Sequence, residues 1–494
     1  TQQLDQTVSG EQKFDYPEGS LYITLDGDMR FEPNRDLDHE NGDVVKDIVV
    51  TSGDFDKDSV SATVTLTIQD GDDPVINAIP SVTLAESQLT DGSAPSGSVV
   101  QATGTISYTE GSDNVSHFRL EPSEFNTDGS LKSNGLVIEL REEPADSGQY
   151  IGFTTAANGV ETTVFTLNFD GTNKDDYTFT LIEAIDHANA DGNNDLSFAL
   201  PVYMVDSDGD NSAKANLDIT ITDDVQLMQN GSWTIIEPNQ GENPTTAIID
   251  VMPAHSADGA TITEFKFGDN PAQQLDQSIT GEQKFDYPEG SLYITLDGEM
   301  RFEPNRDLDH ENGDIVKNIV VTSGDFDKDS VNATVTLTIQ DGDDPVINTI
   351  PSVNLSESQL ADGSAPSGSA VQATGTISYT EGSDNLSHFR LEPTEFNTDG
   401  SLKSNGLVVE LREEPADSGQ YIGFTTAANG VETTVFTLNF DGTNKGDYTF
   451  TLIEALDHAN ADGNNELSFA LPVYMVDSDG DNSAKANLDI TITD

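Results

Sequence analysis

Carboxylates crowd into short loops at fixed places along this sequence. The densest group is Asp70-Gly71-Asp72-Asp73-Pro74, and the same five residues return as Asp341-Gly342-Asp343-Asp344-Pro345. Each group follows the end of an alternating run, Thr63–Ile68 in the first case, which predicts a β-strand. Two bare carboxylates about 4 Å apart repel by roughly 4 kcal/mol at an effective dielectric of about 20. Either water spreads these groups apart or a cation gathers them.

Two further kinds of acidic loop recur. The closing loop lies between the last two predicted strands of each domain, and the exit loop precedes the second-last strand. The closing loops contain Asp206, Asp208 and Asp210; Asp325, Asp327 and Asp329; and Asp477, Asp479 and Asp481. The exit loops contain Asp36, Asp38, Glu40 and Asp43; Asp186, Asp191 and Asn193; and Asp307, Asp309 and Asp314. The remaining candidates are Asp223 and Asp224 in a linker, and the turn residues Glu110 and Asp113 with their repeats Glu381 and Asp384.

The topology of a β-sandwich predicts which of these loops meet. In a seven-stranded count, the closing loop lies at the end where the chain enters and the exit loop at the end where it leaves. Each linker is therefore expected between the exit loop of one domain and the closing loop of the next, with the Glu110–Asp113 turn at the same pole. Oxygen ligands from three segments, without a soft donor, suit Ca²⁺ and its six to eight ligands. The sequence therefore predicts calcium sites at the domain junctions.

Two other interpretations of the acidic loops are open from the sequence. Acidic turns can be solvated and keep a chain soluble, and a halophile-type surface would carry carboxylates on strand faces as well as in loops. Acidic loops on both sides of every proposed junction favour metal binding. The loops are not EF-hands, because Asp206-Ser207-Asp208-Gly209-Asp210 places glycine fourth instead of sixth. The glycine-rich nonapeptide of calcium β-rolls does not occur.

Composition excludes several classes of function. The 494 residues carry 89 acidic and 21 basic side chains, a formal net charge of −68. This charge excludes binding to nucleic-acid phosphates as a main activity and opposes docking on anionic membranes. The sequence has no cysteine, no apolar run of the roughly 20 residues needed to span a bilayer, and no signal peptide at its start. We expect the chain to be a portion of a longer protein.

The elements that position these loops belong to a long repeat. Residues 2–223 return as residues 273–494 with few substitutions, whereas residues 224–271 have no counterpart. This period exceeds a solenoid rung and fits two domains per unit. The predicted domains are the C-terminal part of an A-type domain at 1–74, a B-type domain at 75–223, a complete A-type domain at 224–345 and a second B-type domain at 346–494.

The predicted fold class is all-β, with tandem Greek-key β-sandwich domains in an elongated array. The pair Asp297-Gly298 separates two alternating runs, which is a strong hairpin signal. Thr163–Phe169 and Tyr177–Leu181 also alternate, and no segment shows a sustained helical period. The single tryptophan, Trp233, is expected in the core of the complete A-type domain.

The sequence contains no arrangement typical of an enzyme. A Gly-x-Ser-x-Gly elbow, a phosphate-cradling glycine loop and a His-Glu-x-x-His zinc motif are all lacking. The pairs His39/His310 and His187/His458 each stand beside an aspartate in an exit loop. We interpret them as turn residues or as partners of metal ligands, and we predict no catalytic activity.

The B-type domain resembles a known family. The resemblance lies in Tyr108–Asp113, in Asp186-His187 followed by Asp191-Gly192-Asn193, in Val205–Asp210 and in Ile219–Asp224. These segments resemble the long tandem repeats of giant RTX-type bacterial adhesins that are exported by type I secretion. The A-type domain, with its Tyr293–Gly298 hairpin and its Gln340–Pro345 end, is similar to the cadherin-like modules of the same proteins.

The resemblance implies immunoglobulin- or cadherin-like extender domains, stiffened by calcium, that hold an adhesive tip away from a bacterial cell in adhesion or biofilm formation. The expected location is extracellular, and the expected partners are calcium ions and neighbouring repeats of the same chain. Near-identity of the two units favours a spacer, since length requires copying and a specific binding site does not. The alternative is a ligand-binding module that recognises glycan or protein through a face of the B-type domain.

Residues 1–74 are expected to be incomplete. They lack a counterpart of residues 224–271, which include Trp233 and Ala247–Val251, so we predict an open sheet edge and exposed apolar surface. Their closing loop, with Asp54, Asp56 and Asp58, follows no linker and is expected to bind calcium worst.

Overall fold

The computed structural model describes residues 1–169, 173–188, 192–244, 246–440, 444–459 and 465–494. These residues form two compact units. The first unit contains residues 1–229, 252–263 and 322–332, and the second contains residues 230–251, 264–321 and 333–494. Within the described ranges, no helix is long and apolar enough to cross a membrane.

The described residues form β-strands and four short 3₁₀ turns, with no α-helix among them. Strands from the first part of the chain are β1 (Gln12–Tyr16), β2 (Gly19–Ile23), β3 (Met29–Pro33), β4 (Val44–Gly53), β5 (Ser59–Ile68), β6 (Val75–Ala78), β7 (Val82–Ala85), β8 (Val100–Thr105), β9 (Ser107–Thr109), β10 (Val115–Leu120), β11 (Lys132–Ser133), β12 (Leu136–Val137), β13 (Glu139–Glu142), β14 (Gln149–Thr155), β15 (Glu161–Phe169), β16 (Asp176–Leu181), β17 (Asp195–Asp206) and β18 (Ala215–Thr222). Next come β19 (Gly231–Ile236), β20 (Ile248–Asp250), β21 (Thr261–Phe267), β22 (Gln273–Gln274), β23 (Gln283–Tyr287), β24 (Gly290–Ile294), β25 (Glu299–Pro304), β26 (Ile315–Gly324) and β27 (Ser330–Gln340). The last are β28 (Val346–Thr349), β29 (Val353–Ser356), β30 (Val371–Thr376), β31 (Ser378–Thr380), β32 (Leu386–Leu391), β33 (Lys403–Ser404), β34 (Leu407–Val408), β35 (Glu410–Glu413), β36 (Gln420–Thr426), β37 (Glu432–Phe440), β38 (Asp447–Leu452), β39 (Glu466–Asp477) and β40 (Ala486–Thr493). The 3₁₀ turns are Glu86–Gln88, Pro122–Glu124, Glu357–Gln359 and Pro393–Glu395.

Residues 75–223 fold as a two-sheet sandwich. One sheet has the order β10-β17-β18-β7 and the other β13-β14-β15-β16-β8, while β6 pairs with β9. Because successive side chains of a strand point to opposite faces, Phe165 and Leu167 of β15 and Phe179 of β16 point into the same core, where all three are fully buried. Successive strands β16 and β17 lie in opposite sheets, which is the Greek-key connectivity predicted for this fold class. Residues 346–494 repeat this sandwich with β29-β40-β39-β32 and β30-β38-β37-β36-β35.

The first and last long strands of the sandwiches are neighbours. Strand β7 runs parallel to β18, β29 runs parallel to β40, and β19 runs parallel to β27. An early strand of each sandwich therefore lies beside its last strand in one sheet, although β6 and β28 precede β7 and β29 in the chain and pair elsewhere.

Strands β19 to β27 form a second type of sandwich. Its sheets have the orders β19-β27-β26-β21-β22 and β20-β25-β24-β23. The hairpin predicted around Asp297-Gly298 is confirmed, because β24 and β25 pair antiparallel on either side of it. Trp233, only 4% exposed, lies in the core as predicted. The all-β fold class is thus confirmed, and the four domain boundaries stay a prediction.

Candidate metal centres

The first carboxylate cluster surrounds the linker at Asp70. It contains Asp36, His39, Asp70, Asp73, Asp113, Asp206, Asp208 and Asp210. One side-chain oxygen from each of Asp70, Asp73 and Asp210 lies within 4.8 Å of the other two, and the same holds for Asp113, Asp206 and Asp208. The linker, the closing loop after β17 and the turn before β10 therefore bring their carboxylates to one place in the first unit.

Backbone hydrogen bonds hold the loops of the first cluster in shape. Asp206 Oδ1 accepts the N–H groups of Gly209 at 3.1 Å and of Asp210 at 2.8 Å, which curls the closing loop. The Ser112 N–H donates to the Asp72 carbonyl oxygen at 3.0 Å. A Cβ on Gly111 would lie 2.2 Å from that carbonyl, so only glycine allows the turn to approach the linker this closely.

The first cluster is electrostatically unsatisfied without a cation. Burial, together with the neighbouring Asp208, raises the pKa of Asp206 to about 6. The hydrogen bond between the side chains of Asp210 and Asp70 raises the pKa of Asp210. Both carboxylate oxygens of Asp208 are buried without a hydrogen-bond partner. Buried acceptors that face other acceptors need either protons or a positive ion.

Several predicted ligands of the first cluster make other contacts. Asp36 accepts hydrogen bonds from the Asn114 backbone N–H at 3.1 Å and from the Ser207 hydroxyl. Glu110 forms an ion pair with Arg35, with 3.0 Å between Oε2 and a guanidinium nitrogen. These contacts fasten the exit loop to the next sandwich.

The rest of the predicted exit loop lies at the surface. Asp38 accepts the Glu40 backbone N–H at 3.1 Å, and Asp38, Glu40, Asp43 and the linker residue Asp72 are exposed. Their role as ligands stays a prediction.

The last cluster repeats the first cluster in the second unit and adds a glutamate. Its members are Glu237, Asp307, His310, Asp341, Asp344, Asp384, Asp477, Asp479 and Asp481. Asp343 is exposed and accepts a hydrogen bond from the Asn239 side-chain amide at 2.7 Å, so its role as a ligand stays a prediction. Ligand atoms of Glu237, His310 and Asp341 lie within 4.8 Å of one another. Glu237 comes directly after β19 and accepts the Leu308 backbone N–H at 3.0 Å, while its other oxygen lies 3.2 Å from His310 Nε2.

Charge is concentrated more strongly in the last cluster. Burial raises the pKa of Glu237 to about 7, and it raises the pKa of Asp384 to about 6. Burial and the adjacent Asp479 raise the pKa of Asp477 to about 7. Asp384 Oδ1 and Asp479 Oδ1 are buried without a hydrogen-bond partner.

The remaining predicted ligands near the last cluster make local contacts. Glu381 pairs with Arg306 at 3.4 Å. Asp309 accepts the Glu311 N–H at 3.1 Å, and Asp314 accepts the Gln340 side-chain amide at 3.3 Å.

The middle cluster surrounds the linker at Asp223 and lies wholly within the first unit. It contains Glu86, His187, Asp223, Asp224, Asp258, Asp325, Asp327 and Asp329. Ligand atoms of Glu86, His187 and Asp223 lie within 4.8 Å of one another, and Glu86 is fully buried. The closing loop joins this group because Asp327 Oδ2 accepts the His187 backbone N–H at 2.7 Å.

Burial and mutual repulsion dominate the middle cluster. Burial raises the pKa of Asp223 to about 7 and that of Asp325 to about 6. Burial, with Glu86 and Asp327 nearby, raises the pKa of Asp258 to about 9. Oxygens Glu86 Oε2, Asp223 Oδ2, Asp258 Oδ2 and Asp329 Oδ2 are buried without a hydrogen-bond partner.

Among the described residues of the middle cluster, His187 is the only side chain that can carry a positive charge. Burial lowers the pKa of its imidazole, but the Glu86 carboxylate outweighs burial and raises it to about 9. Its Nε2 lies 3.5 Å from Glu86 Oε1, and Nδ1 lies 3.0 Å from Asn194 Oδ1. One imidazolium neutralises only part of the cluster.

Other predicted residues of this exit loop and linker differ in their roles. Asp224 accepts backbone N–H groups from Ser93 at 2.7 Å and from Ala257 at 3.0 Å, so it already has protein partners. Asp186 accepts the Gly135 N–H at 2.9 Å. Asn193 is exposed. Asp191 lies outside the described residues.

Sequence reasoning missed Glu86, Glu237 and Asp258. The first two share a detectable signal, because each is a lone carboxylate that follows the apolar alternation of an early strand, Val82–Ala85 or Gly231–Ile236. Glu357 is the counterpart of Glu86 in the sandwich of residues 346–494, and its Oε1 lies 3.3 Å from His458 Nε2. Asp258 stands in a short turn with no such marker.

Comparison with known proteins gives matches to solved structures alone. No family model matches the chain, and none of the curated proteins does. A structure of protocadherin PcdhgB3 EC1-4 is 14% identical, with 98% of this chain and 91% of that chain covered and a TM-score of 0.31. Drosophila N-cadherin EC1-4 is 12% identical, with 99% and 93% covered and a TM-score of 0.20.

A further match is described as a Ca²⁺-stabilized adhesin that helps an Antarctic bacterium reach out and bind ice. It is 15% identical, covers 98% of this chain and 89% of that chain, and has a TM-score of 0.22. With TM-scores and identities this low, these matches carry no argument about this chain, and its all-β sandwich fold rests on its own strand pairing.

Proposed function

We propose that the chain is a non-catalytic spacer of a bacterial cell-surface adhesin, stiffened by Ca²⁺ at its linkers. The observation that supports this proposal is the set of buried carboxylate oxygens without partners in the first, middle and last clusters. In each cluster, residues from a linker meet residues from the loops of the sandwiches before and after it. An ion held by all of these segments fixes their relative orientation.

The donor chemistry supports calcium over other divalent ions. Carboxylates supply nearly all the candidate ligands, and Ca²⁺ accepts six to eight oxygens in an adaptable geometry. Mg²⁺ requires a smaller octahedral shell and keeps its waters. The chain has no cysteine to favour a thiophilic metal.

The proposed location is extracellular, where calcium modules bind at roughly 10⁻⁴ to 10⁻³ M. Such sites are filled at millimolar calcium and empty at the much lower concentration inside a cell. The chain is then pliable before export and stiff after it. Export by type I secretion, RTX-type membership and a part in biofilm formation belong to this proposal.

The middle cluster offers a direct test. The double variant Asp327→Asn and Asp329→Asn removes two buried carboxylates, whereas Asp56→Asn and Asp58→Asn make the same change at the equivalent exposed loop of the first repeat. Small-angle X-ray scattering of the full chain in calcium and in chelator reports its stiffness. The proposal requires a narrower distance distribution in calcium than in chelator for the unmodified chain. In the Asp327→Asn and Asp329→Asn variant, only part of this calcium-dependent narrowing should be lost, since the first and last clusters are unchanged.

The control variant is expected to behave as the unmodified chain. Identical scattering in calcium and in chelator for all three proteins would remove the spacer proposal and leave solvated acidic linkers. If the first variant loses the whole calcium response while circular dichroism shows that its sandwiches are still folded, the ions do not act locally.

A second candidate function is ligand binding by the B-type sandwiches. Both copies carry an open cleft of the same composition, of about 780 Å³ beside Arg119 and Tyr150 and about 750 Å³ beside Arg390 and Tyr421. A glycan-array signal from the full chain that disappears in His117→Ala and His388→Ala together, two exposed residues that line the clefts, would favour this function. Absence of any signal leaves the spacer as the proposal.

A further inference from the structure

Two segments that follow the middle linker pack against residues 75–223. Residues 252–263 and 322–332 belong to the same compact unit as residues 1–229. The second of these segments contains the closing loop of the middle cluster. The contacts that hold both segments are made by protein groups and lie beside the carboxylates of that cluster.

Asp224 links the first of these segments to residues 75–223. Its Oδ2 accepts the Ser93 backbone N–H at 2.7 Å and the Ala257 backbone N–H at 3.0 Å, and its Oδ1 accepts the Ser93 hydroxyl. The Asp224 side chain needs such partners, because a carboxylate in a residue only 1% exposed has lost its water. Ala257 also packs against the hydrophobic core of residues 75–223.

Phe326 makes the second contact, with the hairpin of β11 and β12. Its ring lies so close to Gly135 that a Cβ on this glycine would be 3.4 Å from Phe326 Cζ. The Gly135 N–H donates to Asp186 Oδ2 at 2.9 Å, and the N–H of the next residue, His187, donates to Asp327 Oδ2 at 2.7 Å. Two consecutive residues of the closing loop are therefore held by the hairpin and the exit loop that supports it.

The repeated sequence shows what this contact covers. Phe326 is 48% exposed, whereas its counterpart Phe55 is fully exposed. Leu136, next to Gly135 in the hairpin, is half-buried, whereas its counterpart Leu407 is exposed. The contact therefore buries apolar surface on both the loop and the hairpin.

The hairpin keeps its shape without a ring against it. Gly406 is the counterpart of Gly135, and a Cβ on it would have no described atom within 4 Å. Its N–H still donates to Asp457 Oδ2 at 2.8 Å, as Gly135 does to Asp186. A surface that is already ordered loses little conformational freedom when the loop packs on it.

We propose that Asp224, Ala257 and Phe326 form a metal-independent contact, here called the clasp, that holds the closing loop beside the linker before any cation binds. The clasp acts against the mutual repulsion of Asp223 and the carboxylates of Asp325–Asp329. Asp224 and Phe326 are then positioning residues, since a cation meets a site that is already assembled. The effect on calcium affinity rests on the proposed function, whereas the clasp itself does not.

Hydrogen exchange of the full chain in chelator tests the clasp without metal. The backbone amides of Ala257 and His187 should exchange slowly in the unmodified chain. Ser93→Ala with Phe326→Ala, the clasp variant, should accelerate their exchange about tenfold, because it increases the population of locally open states. Unchanged exchange in β15 would show that the sandwich is still folded. Phe326→Ala alone, which lies outside residues 75–223, is the second variant and should act in the same direction.

The matched control is Ser364→Ala with Phe55→Ala. It makes the same two changes at counterparts that are both exposed, so the two amides should exchange as in the unmodified chain. Fast exchange of both amides in the unmodified chain in chelator would overturn the proposal, because the contact would then need metal. Equal exchange in the clasp variant, the Phe326→Ala variant and the control would also overturn it.

Isothermal titration with calcium tests the positioning role separately. In the clasp variant, one class of sites should lose affinity by about tenfold, because the apparent affinity falls with the fraction of chains in the assembled state. The control should bind as the unmodified chain does. Faster amide exchange with unchanged calcium affinity would overturn the positioning role. If the unmodified chain binds no calcium, the spacer proposal and the positioning role both fall, and hydrogen exchange alone decides the clasp.

Discussion

The first and last clusters have almost the same loop sequences and different sets of buried carboxylates. Asp206 and Asp477 are equally buried, and in both clusters burial and a neighbouring aspartate raise the pKa of this residue, to about 6 and about 7. The last cluster contains Glu237, which comes from residues 224–271, and residues 1–74 have no counterpart of it. The ligand set of a linker thus includes the early strand of the preceding sandwich as well as the acidic loops.

The histidines report the same difference. His310 Nε2 lies 3.2 Å from Glu237, whereas in the first cluster His39 Nδ1 lies 3.7 Å from Asp70. The additional buried carboxylate increases both the repulsion without metal and the attraction for a divalent cation. We therefore expect the last cluster to bind calcium more tightly than the first.

The largest expected effect is that of removing calcium from all clusters. A site that binds only the folded state adds about 2.7 kcal/mol at a hundredfold excess of calcium over its dissociation constant. For sandwiches of this size, each such site corresponds to a shift in melting temperature on the order of 5–10 °C. Scanning calorimetry in about 10 mM calcium, a hundredfold excess over a dissociation constant of about 10⁻⁴ M, and in chelator measures the shift, and magnesium should restore little of it. Equal melting in both buffers would show that none of the three clusters holds calcium.

The next effect is that of Glu237→Gln. The amide keeps the size of the side chain and removes the charge that distinguishes the last cluster, so its calcium affinity should fall about tenfold, or about 1.4 kcal/mol. Isothermal titration calorimetry should show the tighter class of sites merging with the weaker one. Glu242→Gln, an exposed position close by, serves as the control. Two classes that persist in the Glu237 variant would mean that another residue causes the difference.

The pH dependence of the metal-free chain should follow the raised pKa values. Unfolded carboxyl groups ionise near pH 4, whereas Asp477 and Glu237 ionise in the folded chain only near pH 7. The folded state therefore holds protons that the unfolded state has released. Its stability is greatest below about pH 4 and falls as the pH rises through about 7.

Urea unfolding in chelator between pH 4 and 8 checks this sign. The parts of the transition that belong to residues 75–223 and to residues 346–494 should both shift in this direction, because each range contains aspartates whose pKa burial raises to about 6 and about 7. Millimolar calcium should reverse the slope, since protons then compete with the metal. A metal-free chain whose stability rises from pH 5 to 8 would contradict the carboxylate burial described here.

The smallest expected effect concerns the arginine beside each cluster. The Arg35–Glu110 pair is largely exposed, so Arg35→Ala should change the free energy of unfolding by less than about 1 kcal/mol. Both arginines also donate to backbone carbonyl oxygens of the next turn, but the Arg306 side chain is 23% exposed against 57% for Arg35, so Arg306→Ala should cost more. Urea unfolding in calcium compares the two. A larger loss of unfolding free energy in Arg35→Ala than in Arg306→Ala would contradict this prediction.

The strands were predictable because their signal is local. Alternation at Thr163–Phe169 and Tyr177–Leu181 and the turn at Asp297-Gly298 correspond to β15, β16 and the β24–β25 hairpin. The burial of Trp233 in the core was also predicted. Each of these inferences needs information from fewer than ten consecutive residues.

The complete ligand clusters were not predictable in the same way. Glu86, Glu237 and Asp258 meet the linkers only through the path of the chain, and no local pattern states that path. Asp38, Glu40 and Asp43 belong to an acidic run, but their loop turns them to solvent. Density of carboxylates in the sequence pointed to loops that come together in the structure, and three-dimensional packing determines which of their oxygens converge. Their binding of metal stays a prediction.

The parallel pairing of the first and last long strands has a consequence for a chain under tension. When the two ends of residues 75–223 are pulled apart, β7 and β18 slide along each other in opposite directions. Their hydrogen bonds, from Ile219↔Val82 to Thr222↔Ala85, are then loaded in shear and must break together instead of one after another. The same holds for β29 with β40 and for β19 with β27. Separating the ends of any of these sandwiches along the strand direction would therefore load such a parallel pair in shear.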